Sequence, residues 1–172
     1  MKIKQDFITN SSSTSYLFLF KGSNTEDLFT IMKDNWRDFE ISGYDLHINV
    51  YDIILYMLEK DGQYDDYIVA EPIDEIIKVQ EERVKKEKEY LKKWINDHPD
   101  YNHNSNLYRH RSSIEENEKL IEELQNKKKN GFTSVITCSF SDDEGNTTGS
   151  LMRSFQLNID KDDISVLPIG EG

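Results

Sequence analysis

The chain has a single cysteine, Cys138, in 172 residues. That excludes an intramolecular disulfide and a zinc site built on cysteine thiolates. Lys and Arg are also scarce: 21 of them stand against 33 Asp and Glu, for a net charge of −12. So acidic a chain is poorly suited to holding phosphates over a broad surface, because that binding rests on Lys and Arg displacing counterions. Its electrostatic complement is a basic protein surface, including one that itself binds nucleic acid, although the same charge also serves solubility. No long apolar run is present after Met1 or later. Neither a signal peptide nor a membrane partner is therefore expected, and the expected location is cytoplasmic.

Apolar residues make up 36% of the chain and charged residues 31%, so part of it should be solvated helix rather than core. The length suits one domain over residues 1–172. Excess acid is concentrated before about Glu75 and after about Phe140, while Ile76 to Asn130 mixes Lys and Glu almost evenly.

Tyr16-Leu-Phe-Leu-Phe20 is apolar at every position, the pattern of a central strand covered on both faces. Ser23-Asn-Thr-Glu26 has capping-box spacing, and Leu28, Met32, Trp36 and Phe39 form a helical stripe after it. Tyr44 to Val50 alternates as a short strand. Val50, Ile53, Ile54, Met57 and Leu58 then predict a helix capped at about Asn49, with a short strand at "YIVA" beyond it.

From Pro72 the chain carries Ile77, Val84 and Leu91 at seven-residue intervals amid Glu and Lys, a thin seam on a helix reaching about Ile95. A second helix is expected from Ser112 or Ser113 to Gly131, so that 72–130 forms an antiparallel helical hairpin arm. Phe132 to Phe140 and Leu151 to Ile159 alternate as a strand and its return, and the tail "VLPIGEG" is expected to add little beyond an edge segment. The expected fold is α+β: a small antiparallel sheet of three or more strands, packed helices, and the long hairpin.

Two clusters carry candidate chemistry. Asn10, Ser11, Ser12, Ser13, Thr14 and Ser15 form a run of hydroxyl and amide side chains directly before the apolar strand. Such residues bond locally to backbone, which makes a polar turn the simplest reading. A catalytic reading needs a base or charge close by, for which Lys4, Asp6 and His47 are the candidate helpers. The second cluster is His98, His103 and His110 with Asp97 and Asp100, residue types that ligate metals but here suit a solvated hairpin tip. No cofactor or metal is expected. The lysine blocks at 85–86, 92–93 and 127–129 are interleaved with glutamate, which favours a solvated coiled-coil face over a nucleic-acid groove.

The opening stretch "MKIKQDFITNSSSTSYLF" resembles the start of a loose group of bacterial and phage proteins. These begin with a basic residue, a spacer, Asp or Gly, Phe, Val or Ile, Thr or Ser, Asn, a Ser/Thr run and an aromatic. The matching positions are Lys4, Asp6, Phe7, Ile8, Thr9, Asn10, Ser11 to Ser15 and Tyr16, about a tenth of the chain. Several of that group look like cargo of phages and mobile elements, where inhibitors of host defence such as anti-CRISPR proteins are found.

Three functional expectations follow. The first is an anti-CRISPR-like phage or mobile-element protein that inhibits a host nucleic-acid-processing defence effector, its acidic surface meeting the partner's basic nucleic-acid-binding face. The alternative is a small nuclease or RNA-modifying enzyme using the Asn10 to Ser15 loop, with RNA as its substrate. The third is a structural protein that self-assembles through the hairpin.

Overall fold

The structure is a computed structural model that describes residues 13–43, 46–59, 69–98, 105–141 and 159–171. The chain divides into two compact units, Met1–Ala70 with Ser134–Gly172, and Glu71–Thr133. The fold is α+β, and the second unit coincides closely with the expected hairpin arm.

In the first unit, β1 (Ser13–Phe20) lies between β5 (Ser134–Ser141) and β7 (Ile164–Glu171), antiparallel to both. Residues opposite one another in such pairs share a face, because side chains alternate along each strand. Tyr16, Phe18 and Phe20 thus lie across from Cys138, Ile136 and Ser134 on one side and from Pro168, Val166 and Ile164 on the other. Leu17 and Leu19 point to the opposite face and are equally buried, which is the two-sided burial that the unbroken apolar run implied.

The C-terminal segment departs from expectation. It is an eight-residue strand beside β1, not a minor tail, and the two-residue β6 (Ile159–Asp160) pairs along its outer side. The strand includes Pro168. A proline in a sheet sits where its missing N–H is not needed, and the described pairing of β7 with β6 ends at Val166, two residues short of it. The rest of the expected return strand, 151–158, lies outside the described residues.

α1 (Thr25–Asp34) and α2 (Val50–Glu59) supply Leu28, Met32, Val50 and Ile54 to the core over the Tyr16, Phe18 and Phe20 face. The capping box falls one residue later than expected: Asn24 Oδ1 accepts from Asp27 N at 3.0 Å, and Asp27 Oδ2 accepts in return from Ser23 N at 2.7 Å and, more weakly, from Asn24 N at 3.4 Å. α1 stops at Asn35, and the 3₁₀ turn Trp36–Phe39 that follows breaks the helical spacing. Phe39 still reaches the core, but Trp36 is turned outward and 45% exposed, contrary to the expected stripe.

β2 (Glu40–Gly43) and β3 (Leu46–Asn49) form a separate two-stranded sheet. Asn49 caps α2 as expected, its Oδ1 accepting from Tyr51 N at 2.9 Å while its Nδ2 donates to Trp36 O at 3.0 Å.

The second unit opens with the two-residue β4 (Glu71–Pro72); Val69 and Ala70, where a strand was expected, are not strand. Pro72 is the N-cap of α3 (Ile73–Asp97), and α4 (Ser105–Lys129) returns antiparallel to it. α4 begins seven residues before Ser112. Leu107, Ile114 and Ile121 carry its seam at seven-residue spacing, and Ser112 is mid-helix with its Oγ donating to Glu116 at 2.9 Å.

Ile73, Ile76, Ile77, Val84, Leu107, Ile114 and Leu124 are buried in this unit. Ion pairs stitch its flanks: Lys88 to Glu118 at 2.5 Å, and Lys128 to Asp74. The last turn of α4 closes with Gly131 at φ 90°, Phe132 N donating to Lys127 O at 3.2 Å and Gly131 N to Lys128 O at 3.0 Å. That bond pattern needs a left-handed residue, which glycine adopts without a Cβ penalty.

Candidate functional site

Of the expected hydroxyl-run loop, the described part, Ser13 to Ser15, is strand. Lys4, Asp6, Asn10, Ser11 and Ser12 lie outside the described residues. Ser13, Thr14 and Ser15 are the first three residues of β1, opposite Ser141, Phe140 and Ser139 of β5, with a register shift against β7 between Thr14 and Ser15. Ser15 is only 3% exposed and shares its face with Leu17 and Leu19. A buried strand hydroxyl is placed to satisfy backbone and neighbours rather than to meet a substrate.

His47 is in the separate small sheet, where it faces Ser42 across the hairpin with Nδ1 2.8 Å from Ser42 Oγ. Serine and histidine at this distance are the raw parts of a nucleophile and base, but both are exposed, and a catalytic pair also needs oriented donors and a site that excludes water. Among the described residues, the hydroxyl partner of His47 is Ser42. The remaining nucleophile, Cys138, is buried in the core, and burial pushes its thiol up to about 12. So high a value leaves no thiolate at neutral pH.

Of the histidine cluster, His103 and Asp100 lie outside the described residues. His98 is the C-cap of α3, its Nδ1 donating to Trp94 O at 3.1 Å and its ring stacked on Trp94 with centroids 4.6 Å apart. His110 is inside α4, not in the loop, and meets the Tyr90 ring at 5.0 Å. Among the described residues no three His, Cys, Asp or Glu side chains come together as a metal site. His98 and His110 are instead partners of aromatic rings.

Tyr90 and Tyr108 are 53% and 76% exposed at this end of the hairpin. Seam periodicity does not single them out, since both stand beside the apolar line. The signal that does is compositional: from Tyr90 to Arg111 there is no glutamate at all, in a chain otherwise rich in it.

Closer to the start of α3, Glu81, Val84, Lys88, Glu118 and Ile121 line an open groove of about 490 Å³. Its Lys88 and Glu118 already neutralise one another, leaving a small apolar floor within a rim of mixed charge.

Charge is distributed by unit. Glu71–Thr133 holds 13 of the 21 Lys and Arg and 14 of the 33 Asp and Glu, a net of −1, which leaves 8 basic against 19 acidic residues, or −11, for the first unit. The two acidic ends of the sequence belong to one unit because β1 pairs with both β5 and β7. Glu26, Asp34, Glu40, Asp52 and Asp162 are exposed members of this set. Among the described residues no helix is long and apolar enough to cross a membrane. No protein-family model, curated protein or solved structure matches the chain.

Proposed function

We propose that the chain is a protein-binding inhibitor whose acidic first unit covers the basic, nucleic-acid-binding face of a partner protein. The observation that carries this reading is the segregation of charge, −11 on the first unit against −1 on the hairpin. An acidic body of this kind raises the rate of encounter with a basic surface and competes with nucleic acid for it, and occupancy alone then inhibits by mass action. The hairpin contributes little to this electrostatic contact, because its own charges nearly cancel.

The resemblance of residues 4–16 to phage and mobile-element proteins supplies the setting: the partner is a host nucleic-acid-processing defence effector, and inhibition is anti-CRISPR-like. The experiment is a binding titration against purified CRISPR effectors with and without guide RNA, repeated with Asp34→Asn, Glu40→Gln, Asp52→Asn and Asp162→Asn combined. Binding that weakens with salt, is displaced by nucleic acid and drops in the neutralised variant supports the reading. Failure to bind any such effector removes it.

A further inference from the structure

We infer that the distal end of the helical hairpin is a contact surface for single-stranded nucleic acid, with the exposed rings of Tyr90 and Tyr108 as stacking platforms and Lys92, Lys93, Arg109 and Arg111 as phosphate contacts. This goes beyond the inhibitor reading and does not depend on it, since it concerns the second unit alone.

Three observations converge on this end. First, the rings are presented rather than packed away: Tyr108 is 76% and Tyr90 53% exposed, although large aromatics normally lose most of their surface on folding. Tyr90, Trp94 and His98 follow one another at four-residue spacing along one face of α3, with Trp94 and His98 already stacked in the manner a base would extend. His110 holds the Tyr90 ring from α4, so this platform is braced by both helices.

Second, the charge here is positive within an acidic chain. Tyr90 to Arg111 contains four Lys and Arg against Asp97 and Asp100. Lys93 lies three residues from Tyr90, and Arg111 three from Tyr108, so each ring has a cation on its own helix face. Third, these cations are unspent. Elsewhere in the hairpin Lys88 and Lys128 are neutralised by Glu118 and Asp74, whereas Lys92, Lys93, Arg109 and Arg111 are all exposed and make no ion pair among the described residues.

Unpaired cations beside exposed rings are the elements by which proteins hold unpaired bases, the rings taking the base faces and the cations the backbone. A duplex buries its base faces in its own stack and offers these rings nothing. Acids do stand close by: Glu89 is exposed beside Tyr90, and Glu87, one turn back, is engaged by Arg83 and Ser113. The first-turn acids Asp74 and Glu75 are about 25 Å away along α3, beyond the ~8 Å screening length at physiological salt.

The test is fluorescence anisotropy of the full chain with labelled 12-nucleotide oligouridylate and oligoadenylate, a 12-base-pair duplex, and an oligoglutamate peptide as a charge control. Both single strands should bind more tightly than the duplex and the peptide. Tyr90→Ala and Tyr108→Ala should each weaken single-strand binding about tenfold, with the Phe variants within about twofold of the native chain. Arg109→Gln and Arg111→Gln should each reduce the slope of log K against log salt by about 0.7. The inference is overturned if no single strand binds, if the duplex or the peptide binds as well as the strands, or if both alanine variants bind unchanged. Tyr108 is mostly in solvent, so its variant tests the surface even if Tyr90→Ala disturbs the hairpin.

Discussion

Phe18 lies directly opposite Val166 in antiparallel register, both fully buried, so the centre of the first unit is closed by the last strand of the chain. Removing residues 164–172 takes away one of the two neighbours of β1 and exposes its core face. The truncated chain is expected to lose cooperative unfolding and near-ultraviolet circular dichroism. Phe18→Ala in the full chain should cost about 3–5 kcal/mol in urea denaturation, the usual cost of deleting a buried ring.

Cys138 makes stability depend on alkaline pH. Its thiol is held at about 12 in the folded protein by burial, against an ordinary value of 9.0. The folded value is the higher one, so the contribution is complete below pH 9 and is lost as pH rises toward 12. Stability should therefore fall through this window in the native chain and fall less in Cys138→Ala. A thiol reagent should leave Cys138 unmodified at neutral pH until the protein is unfolded.

Glu71 is raised above its ordinary 4.5 by burial and, secondarily, by the charge of Glu75. The ionised form is thus penalised by folding: the penalty is absent below the ordinary value of 4.5, grows as pH rises from there and is complete above the raised folded value. Glu71→Gln is expected to stabilise the protein at pH 7, with the gain vanishing below about pH 4. Thermal melts of both chains across that range measure it.

Gly131 closes α4 at φ 90°, a conformation that L side chains rarely adopt. Gly131→Ala should cost about 1 kcal/mol, and Gly131→Asn less, because asparagine tolerates this region better. Chemical denaturation of the three chains gives the order directly.

What could be read from sequence tracks how local its cause is. Tyr16 to Phe20 declared a central strand because burial on both faces leaves no polar position, and Ile77, Val84 and Leu91 declared a helix seam by spacing alone. The early start of α4 was also written in the chain, in the spacing of Leu107, Ile114 and Ile121, but the Asn-rich stretch before it reads as a break. The final strand read as a short tail, since only its pairing with β1, far away in sequence, makes it part of the sheet. Trp36 kept helical spacing with Leu28 and Met32, yet the 3₁₀ turn after Asn35 rotated it outward.

The hydroxyl run illustrates a further limit. Composition marks Ser11 to Ser15 as polar, but the register that buries Ser15 opposite Ser139 depends on a partner more than a hundred residues away. Charge shows the same effect: the sequence locates acid at both ends, and only the pairing of β1 with β5 and β7 gathers it into one unit.

The measurement that tests the central claim most directly is the affinity of the full chain for a purified CRISPR effector, with and without guide RNA, between about 50 and 300 mM salt. The account predicts tight binding to the unloaded effector, an affinity that falls linearly on a logarithmic salt scale, and displacement by added nucleic acid. Binding that is indifferent to salt and unaffected by nucleic acid, or no binding at all, would contradict it.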